Sequence, residues 1–271
     1  MIREITIGQY YPADSVIHRL DPRVKIVATL IFIISLFMFD SFIGYAIVVA
    51  FLAMCILLSK VPFSYMVKGL KAIFMILMLT VVINMLMTPG EPMVSFYKLT
   101  ITKEGFRQAI FMALRLILLI IGSSVMTLTT TPTNLTDAME SLLKPLKRFK
   151  APVHEIAMMM SIALRFIPIL IEETDKIMKA QMARGADFEN GNLIEKAKAM
   201  IPILVPLFVS AFRRANDLAN AMEARCYHGS EGRTKMKPLK YTRNDRIAYG
   251  VLAVYLIGII ALNVFMGGRL V

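Results

Sequence analysis

The chain has 271 residues, 57% of them hydrophobic, a mean hydropathy of +0.63 and a formal net charge of +12. That hydropathy excludes an ordinary soluble domain and calls for a polytopic membrane protein. In a soluble protein the charge would point to nucleic acid; in a membrane protein it is the excess of Lys and Arg held in cytoplasmic loops, so no nucleic-acid partner is expected.

In chain order, residues 1–23 form a polar, cytoplasmic amino-terminal arm, with turn signals at Pro12-Ala13-Asp14 and Asp21-Pro22 and a basic group of Arg19, Arg23 and Lys25. No cleavage-type pattern follows, so no signal peptide is expected. His18 stands alone and reads as solvated or interfacial. Val24 to Phe39 is the first expected span and Phe42 to Leu58 the second, joined by an Asp40-Ser41 turn outside. Lys60, Lys68 and Lys71 mark the return to the cytoplasm. The third span runs from about Ala72 to Met87, broken by Thr88-Pro89-Gly90-Glu91-Pro92, and the fourth from Gln108 to about Thr130. Residues 24–130 therefore hold four spans.

Residues 131–246 carry 19 Lys and Arg against 13 Asp and Glu, 19 − 13 = +6, half of the whole excess, and are expected in the cytoplasm. Thr131-Pro132-Thr133-Asn134 caps a short amphipathic helix, Leu135 to about Phe149, with a basic end at Lys144, Lys147, Arg148 and Lys150. Two long helices follow. The first starts at Pro152, with Glu155 in its first turn, and stops at Gly185, suited to a left-handed cap. Asn190-Gly191 makes a turn, and the second opens on Asn192 with Glu195 as a capping box, running to about Arg225. Each has an apolar first half, Ile156 to Ile171 and Met200 to Phe212, and a charged second half. Both apolar runs fall short of the roughly 20 residues of a span and contain Pro168, Pro202 and Pro206, so both helices are expected along the membrane face, each about 45–50 Å long. A rival topology threads both runs through the bilayer and gives seven spans instead of five. After a basic linker from Gly232, residues 247–271 supply the last span, Ile247 to Met266, and a short outer tail.

Several chemistries find no support. The five spans contain no Asp or Glu, against a self-sufficient carrier, and only Arg115 and Asn84 stand out as polar within them, in structural roles. Cys55 and Cys226 have no metal spacing, there is no phosphate-loop motif, and His154-Glu155 lacks the second histidine of a zinc protease because Met158 stands there. Neither a catalytic site, a metal nor a cofactor is expected.

The two long helices end alike, on Ala183-Arg184 within AQMARG and Ala224-Arg225 within AMEARC. Small neighbours let a helix end enter a groove, where a guanidinium makes bidentate bonds to acidic or carbonyl groups. Ala211, Ala215 and Ala219, with Ala157 and Ser161, recur at fourth positions and suit a close helix crossing. The 21 methionines, Met158 to Met160 among them, suit membrane-core filler or an adaptable partner surface.

These paired arginine ends, MMMSIALRFIPILIEETDKIMKAQMARGADF and the opening GQYYPADSVIHRLDPRVK together resemble the transmembrane T component of energy-coupling factor (ECF) transporters, over nearly the whole chain. The resemblance implies an all-α polytopic membrane protein with about five spans and a coupling domain of one short and two long crossed helices. It implies a non-catalytic subunit of the bacterial cell membrane whose helix ends dock into two ABC-type ATPase subunits, at Ala183, Arg184 and Gly185 and at Ala224, Arg225 and Cys226. A membrane S component would supply the substrate, a vitamin or other micronutrient, or in a dedicated system a metal ion. Cys226 departs from the family's glycine, and a helix continuing toward Gly229 is expected there.

Overall fold

A computed structural model describes residues 10–39, 41–96, 99–186, 188, 192–229, 236 and 238–267. The chain divides into two compact units, Gly8–Ala138 with Leu239–Val271, and Met139–Pro238, preceded by Met1–Ile7.

The first unit is a helical membrane body. Helix α1, Pro22–Ser35, starts where Asp21 accepts the Arg23 backbone N–H at 2.9 Å and Pro22 pre-sets the first turn. Helix α2, Phe42–Ser59, is capped by Ser41, which accepts from the Gly44 N–H at 3.2 Å, and ends on Lys60 in the left-handed conformation. Asp40 of the expected outer turn lies outside the described residues. Helix α3, Phe63–Met87, bends by 62° between Lys71 and Ile73, close to the boundary that the lysines mark in the sequence. Strands β1, Pro92–Phe96, and β2, Leu99–Thr102, pair as an antiparallel hairpin where a plain loop is expected. Thr102 then caps helix α4, Lys103–Thr129, accepting from Gly105 at 3.0 Å while its hydroxyl donates to the Thr88 carbonyl.

Helix α4 packs on α1, α2 and α3, and helix α8, Arg243–Gly267, closes against α1 and α2. The core joins Phe32 and Leu36 to Tyr45, Val48 and Leu52, to Phe111, Leu118, Ile121 and Val125, and to Leu252, Tyr255 and Ile259. Gly122 is required at one point, because a Cβ there would stand 2.3 Å from the Phe32 ring. Two polar pairs link α8 to α1 and the turn after it: Ser35 with the Tyr255 hydroxyl at 2.8 Å, and Asn263, which donates to the Met38 carbonyl at 2.8 Å.

Helix α5, Pro132–Leu143, begins at the capping Thr131, which accepts the Asn134 N–H at 3.3 Å, and passes into a 3-10 turn, Lys144–Phe149, around Pro145. The second unit is dominated by helix α6, Val153–Ala183, and helix α7, Leu193–Ala224, of 31 and 32 residues, about 47 and 48 Å long. Their internal prolines do not end either helix. The Asn190-Gly191 turn and the Glu195 half of the expected capping box lie outside the described residues and side chains.

Among the described residues, α2, α4, α6 and α8 are each long and apolar enough to cross a membrane, and the bent α3 makes a fifth. The number matches the five expected; the membership differs. Helix α1 has only 14 residues, about 21 Å, before the chain turns at Leu36–Phe39, whereas α6 passes on length and composition. The architecture is an all-α polytopic membrane protein carrying one small hairpin.

Candidate docking site at two arginine-tipped helix ends

The second unit brings the two Ala-Arg sequences into one geometry. At the end of α6, the Gly185 N–H donates to the Met182 carbonyl and the Ala186 N–H to the Gln181 carbonyl, both at 3.0 Å. At the end of α7, the Cys226 N–H donates to the Glu223 carbonyl at 2.8 Å and the Tyr227 N–H to the Met222 carbonyl at 3.1 Å. Both are Schellman closures, which satisfy carbonyls that a helix end leaves orphaned. In each the arginine is the cap residue, the alanine before it is the last helical residue, and the next residue is left-handed: Gly185 at φ +88° and Cys226 at φ +53°. Ala183, Arg184, Gly185, Ala224, Arg225 and Cys226 are all exposed.

The expected continuation of the second helix toward Gly229 is therefore corrected. A left-handed residue with a Cβ costs about 1 kcal/mol, and two closing hydrogen bonds at about 1 kcal/mol each offset it. Cys226 holds the conformation that Gly185 holds freely, and Gly229, three residues on, also has a positive φ, +99°.

Helices α6 and α7 pack on each other. Arg214 donates to the Glu173 carboxylate at 2.6 Å, the Ser210 hydroxyl bonds the same carboxylate, and the Gln181 amide reaches the Pro202 carbonyl at 3.5 Å. Going from Glu173 to Gln181 moves toward the tip of α6, while going from Arg214 to Pro202 moves away from the tip of α7. The two helices thus run in opposite senses across their contact. Gln181 sits three residues before Arg184, and Pro202 lies 23 residues before Arg225 (225 − 202), so the two arginines stand roughly 35 Å apart. The two exposed arginine ends are therefore two separate features rather than one patch.

Of the residues singled out for the crossing, Ala157 is buried, Ser161 and Ala211 are half-buried, and Ala215 and Ala219 are exposed. The polar links fall instead on Glu173 and Gln181 in the charged half of α6 and on Pro202, Ser210 and Arg214 of α7, with Ile203 buried. The small-residue pattern did not reveal them because long side chains reach across a wider gap than alanine does. On α7, Ile201, Leu204, Val205, Phe208 and Phe212 form an exposed apolar stripe at helical spacing, with the Phe208 and Phe212 rings stacked 6.4 Å apart.

His154 pairs with Glu140, Nδ1 to Oε1 at 2.8 Å, so the His154-Glu155 dipeptide is tied to a carboxylate. Among the described residues no group of three or more His, Cys, Asp and Glu side chains is placed to hold a metal. In the first unit, Arg115 lies 5.0 Å from the Phe37 ring centroid, a cation–π contact, and Asn84 donates to the Thr80 carbonyl at 2.9 Å.

The chain is similar to known proteins over most of its length. The family model CbiQ, described as cobalt transport protein, matches residues 13–236. The energy-coupling factor transporter transmembrane protein EcfT of Clostridium kluyveri is 59% identical over 250 residues, 92% of this chain and 93% of the relative. Those of Ruminiclostridium cellulolyticum and Bacillus subtilis are 55% identical over 263 residues (97% and 98% of the two chains) and 50% over 248 (90% and 93%). With family match, relatives and membrane helices in accord, the chain belongs to the family of energy-coupling factor transporter transmembrane proteins.

Proposed function

We propose that the chain is the non-catalytic transmission subunit of an ECF-type importer in a bacterial cell membrane. Arg184 and Arg225 each enter a groove on one of two ABC-type ATPase subunits, which hydrolyse the ATP. A membrane S component, carrying a vitamin or other micronutrient, rests on the exposed apolar stripe of α7. The observation that carries this reading is the repeated cap: two long helices end in the same hydrogen-bonded closure, each with an exposed arginine at the same position, roughly 35 Å apart.

The arm and residues 131–246 lie on the cytoplasmic side, where their Lys and Arg excess belongs. Helix α6 keeps to the membrane face despite its apolar first half, because Glu172, Glu173, Asp175, Lys176 and Lys179 crowd its second half and are costly in hydrocarbon. When nucleotide closes the ATPase pair, the distance between the two tips changes. The helices pivot at the Glu173–Arg214 bridge, and the S component is tipped or released.

Detergent pull-down from the native membrane tests the assignment. Wild type brings down two ATPases and a small membrane protein; an Arg184→Glu, Arg225→Glu double variant loses the ATPases. Wild type purified alone that moves a solute in liposomes would replace this reading with a carrier. The description of the matching family model favours a second reading, a subunit dedicated to a metal-ion system. Uptake of labelled cobalt or nickel by the reconstituted complex, with no vitamin uptake, would select it.

A further inference from the structure

The membrane body contains a cleft of about 260 Å³ among α1, α2, α4, α8 and the arm before α1. Its floor is apolar and buried, with Phe32 and Val125, while its rim is apolar and open, with Met54 41% and Ile247 57% exposed. Lys25 and Asn244 line it at the end where α1 and α8 begin. From Lys25 to Phe32 the cleft follows α1 for seven residues, about 10 Å, most of the depth of one leaflet's hydrocarbon.

The polar end is basic. Residues 10–25 and 240–246 hold six Lys and Arg against three Asp, 6 − 3 = +3. The three carboxylates are engaged: Asp14 by Arg19, Asp21 by Arg23, and Asp245 by the Asp21 and Thr242 N–H groups and the Thr242 hydroxyl. Lys25 donates to the Thr129 carbonyl at 2.8 Å and the His18 carbonyl at 3.3 Å, which uses two of its three N–H groups. Arg243 and Arg246 are exposed in the first turn of α8. An apolar slot open toward the hydrocarbon, with an end that stays net cationic after all three carboxylates are counted, matches a molecule that is apolar along its length and anionic at its head.

We propose that this cleft binds one anionic phospholipid, an acyl chain lying between α2 and α8 and the phosphate at the Lys25, Asn244 and Arg243 end. The site is independent of the arginine tips. It would tie the beginnings of α1 and α8 together from the lipid side.

The chain contains no tryptophan, so a single introduced one reports its surroundings cleanly. The full-length chain is reconstituted with either Met54→Trp, on the cleft rim, or Met75→Trp, on an outward face of α3 that is 83% exposed. Fluorescence is then titrated with brominated phosphatidylglycerol and brominated phosphatidylcholine. At Met54→Trp the anionic lipid quenches with about fivefold preference, what one basic side chain near a charged lipid confers. At Met75→Trp the two lipids quench alike. Adding Ala248→Phe, which fills the cleft, or Val251→Phe on its rim should abolish the preference at Met54→Trp, with circular dichroism checking that the helices are intact. Equal quenching by both lipids at Met54→Trp, the same preference at both reporters, or a preference that survives both filling substitutions in folded protein would each overturn the proposal.

Discussion

Glu173 and Arg214, joined at 2.6 Å, lie the same distance from their respective tips: 184 − 173 and 225 − 214 both equal 11 residues. The bridge sits about 16 Å along the helix from each arginine, and the arms leave it in opposite senses. Under the proposed transmission role, such a pair would serve as a pivot with matched arms. Both side chains are partly open to solvent, 27% and 40%, so its contribution lies in fixing register more than in stability. Charge reversal at one partner, Arg214→Glu, is expected to cut ATP-driven uptake several-fold in the reconstituted complex. The exchanged pair, Glu173→Arg with Arg214→Glu, should recover most of it. Exchange without recovery would assign the bridge to ordinary surface chemistry.

Arg184→Glu is expected to leave the protein in the membrane and to uncouple ATP hydrolysis from uptake. A charge-assisted bond of a docked arginine is worth about 1.5–3 kcal/mol, so ATPase affinity should fall about 10–100-fold. Binding of detergent-purified ATPase subunits to the immobilised variant measures this. Arg184→Lys should recover only part, because an ammonium cannot make the bidentate contact. Normal uptake by Arg184→Glu would sink the docking assignment.

The two caps differ in one residue, and that difference is measurable. Cys226→Gly relieves a left-handed Cβ and should raise stability by about 0.5–1 kcal/mol without loss of ATPase binding, while Gly185→Ala should lower it by about 1 kcal/mol. Hydrogen exchange of the Tyr227 and Ala186 amides, which close the two caps, gives both values. A destabilising Cys226→Gly would mean that the thiol makes a contact of its own.

What the sequence reveals here depends on the range of the interaction. Helices α2 and α4 are legible because an uninterrupted apolar run needs nothing from elsewhere, although α4 begins at Lys103, five residues before the expected Gln108 (108 − 103), where the Thr102 cap lies outside the apolar run. Gly185 is legible for the same reason. Cys226 is not, since residue propensity argues against the left-handed cap and only the closing hydrogen bonds override it. The Glu173–Arg214 bridge depends on the register of two helices 41 residues apart, and no local pattern encodes that register. Lys25 and Asp245 read as a basic arm and a basic linker, yet both are buried; the Asp245 carboxylate meets the Asp21 N–H across 224 residues. Asn263, also paired with a carbonyl far away in sequence, gave no signal at all.

His18 is fixed on both ring nitrogens. The Tyr11 carbonyl can only accept, so Nε2 carries the hydrogen, 3.0 Å away, and the Ser15 hydroxyl donates to Nδ1 at 2.7 Å. Burial, the larger effect, and the nearby Lys25 ammonium hold its pKa below the ordinary 6.5 despite the Tyr11 hydrogen bond and the Asp14 carboxylate. The neutral ring is the one the fold accepts. Its stabilisation is complete above about pH 6.5 and is lost as pH falls through that value toward the lowered one. Amide exchange in residues 11–20 should therefore quicken as pH falls below about 6.5, after correction for intrinsic rates. In His18→Gln that step should disappear, and a pH-independent arm in wild type would contradict the assigned tautomer.

Asp245 is fully buried at the start of α8, and its carboxylate accepts from the Asp21 N–H at 2.8 Å and from the Thr242 N–H and hydroxyl at 2.6 and 2.7 Å. Three donors converge on two oxygens. Replacing one oxygen with an amide turns an acceptor into a donor facing another donor, and Asp245→Asn should cost about 1–3 kcal/mol. Asp245→Ala leaves the same donors unpaired and should cost at least as much. The knot ties the beginning of α1 to the beginning of α8, with the Arg23 guanidinium beside it 3.9 Å from the Tyr241 ring centroid. Both variants should therefore lower the unfolding temperature in detergent, and Thr242→Val, which removes one hydroxyl donor and leaves the backbone bonds, should lower it less. An unchanged unfolding temperature in Asp245→Asn would show that the carboxylate contributes nothing to holding the two helices together.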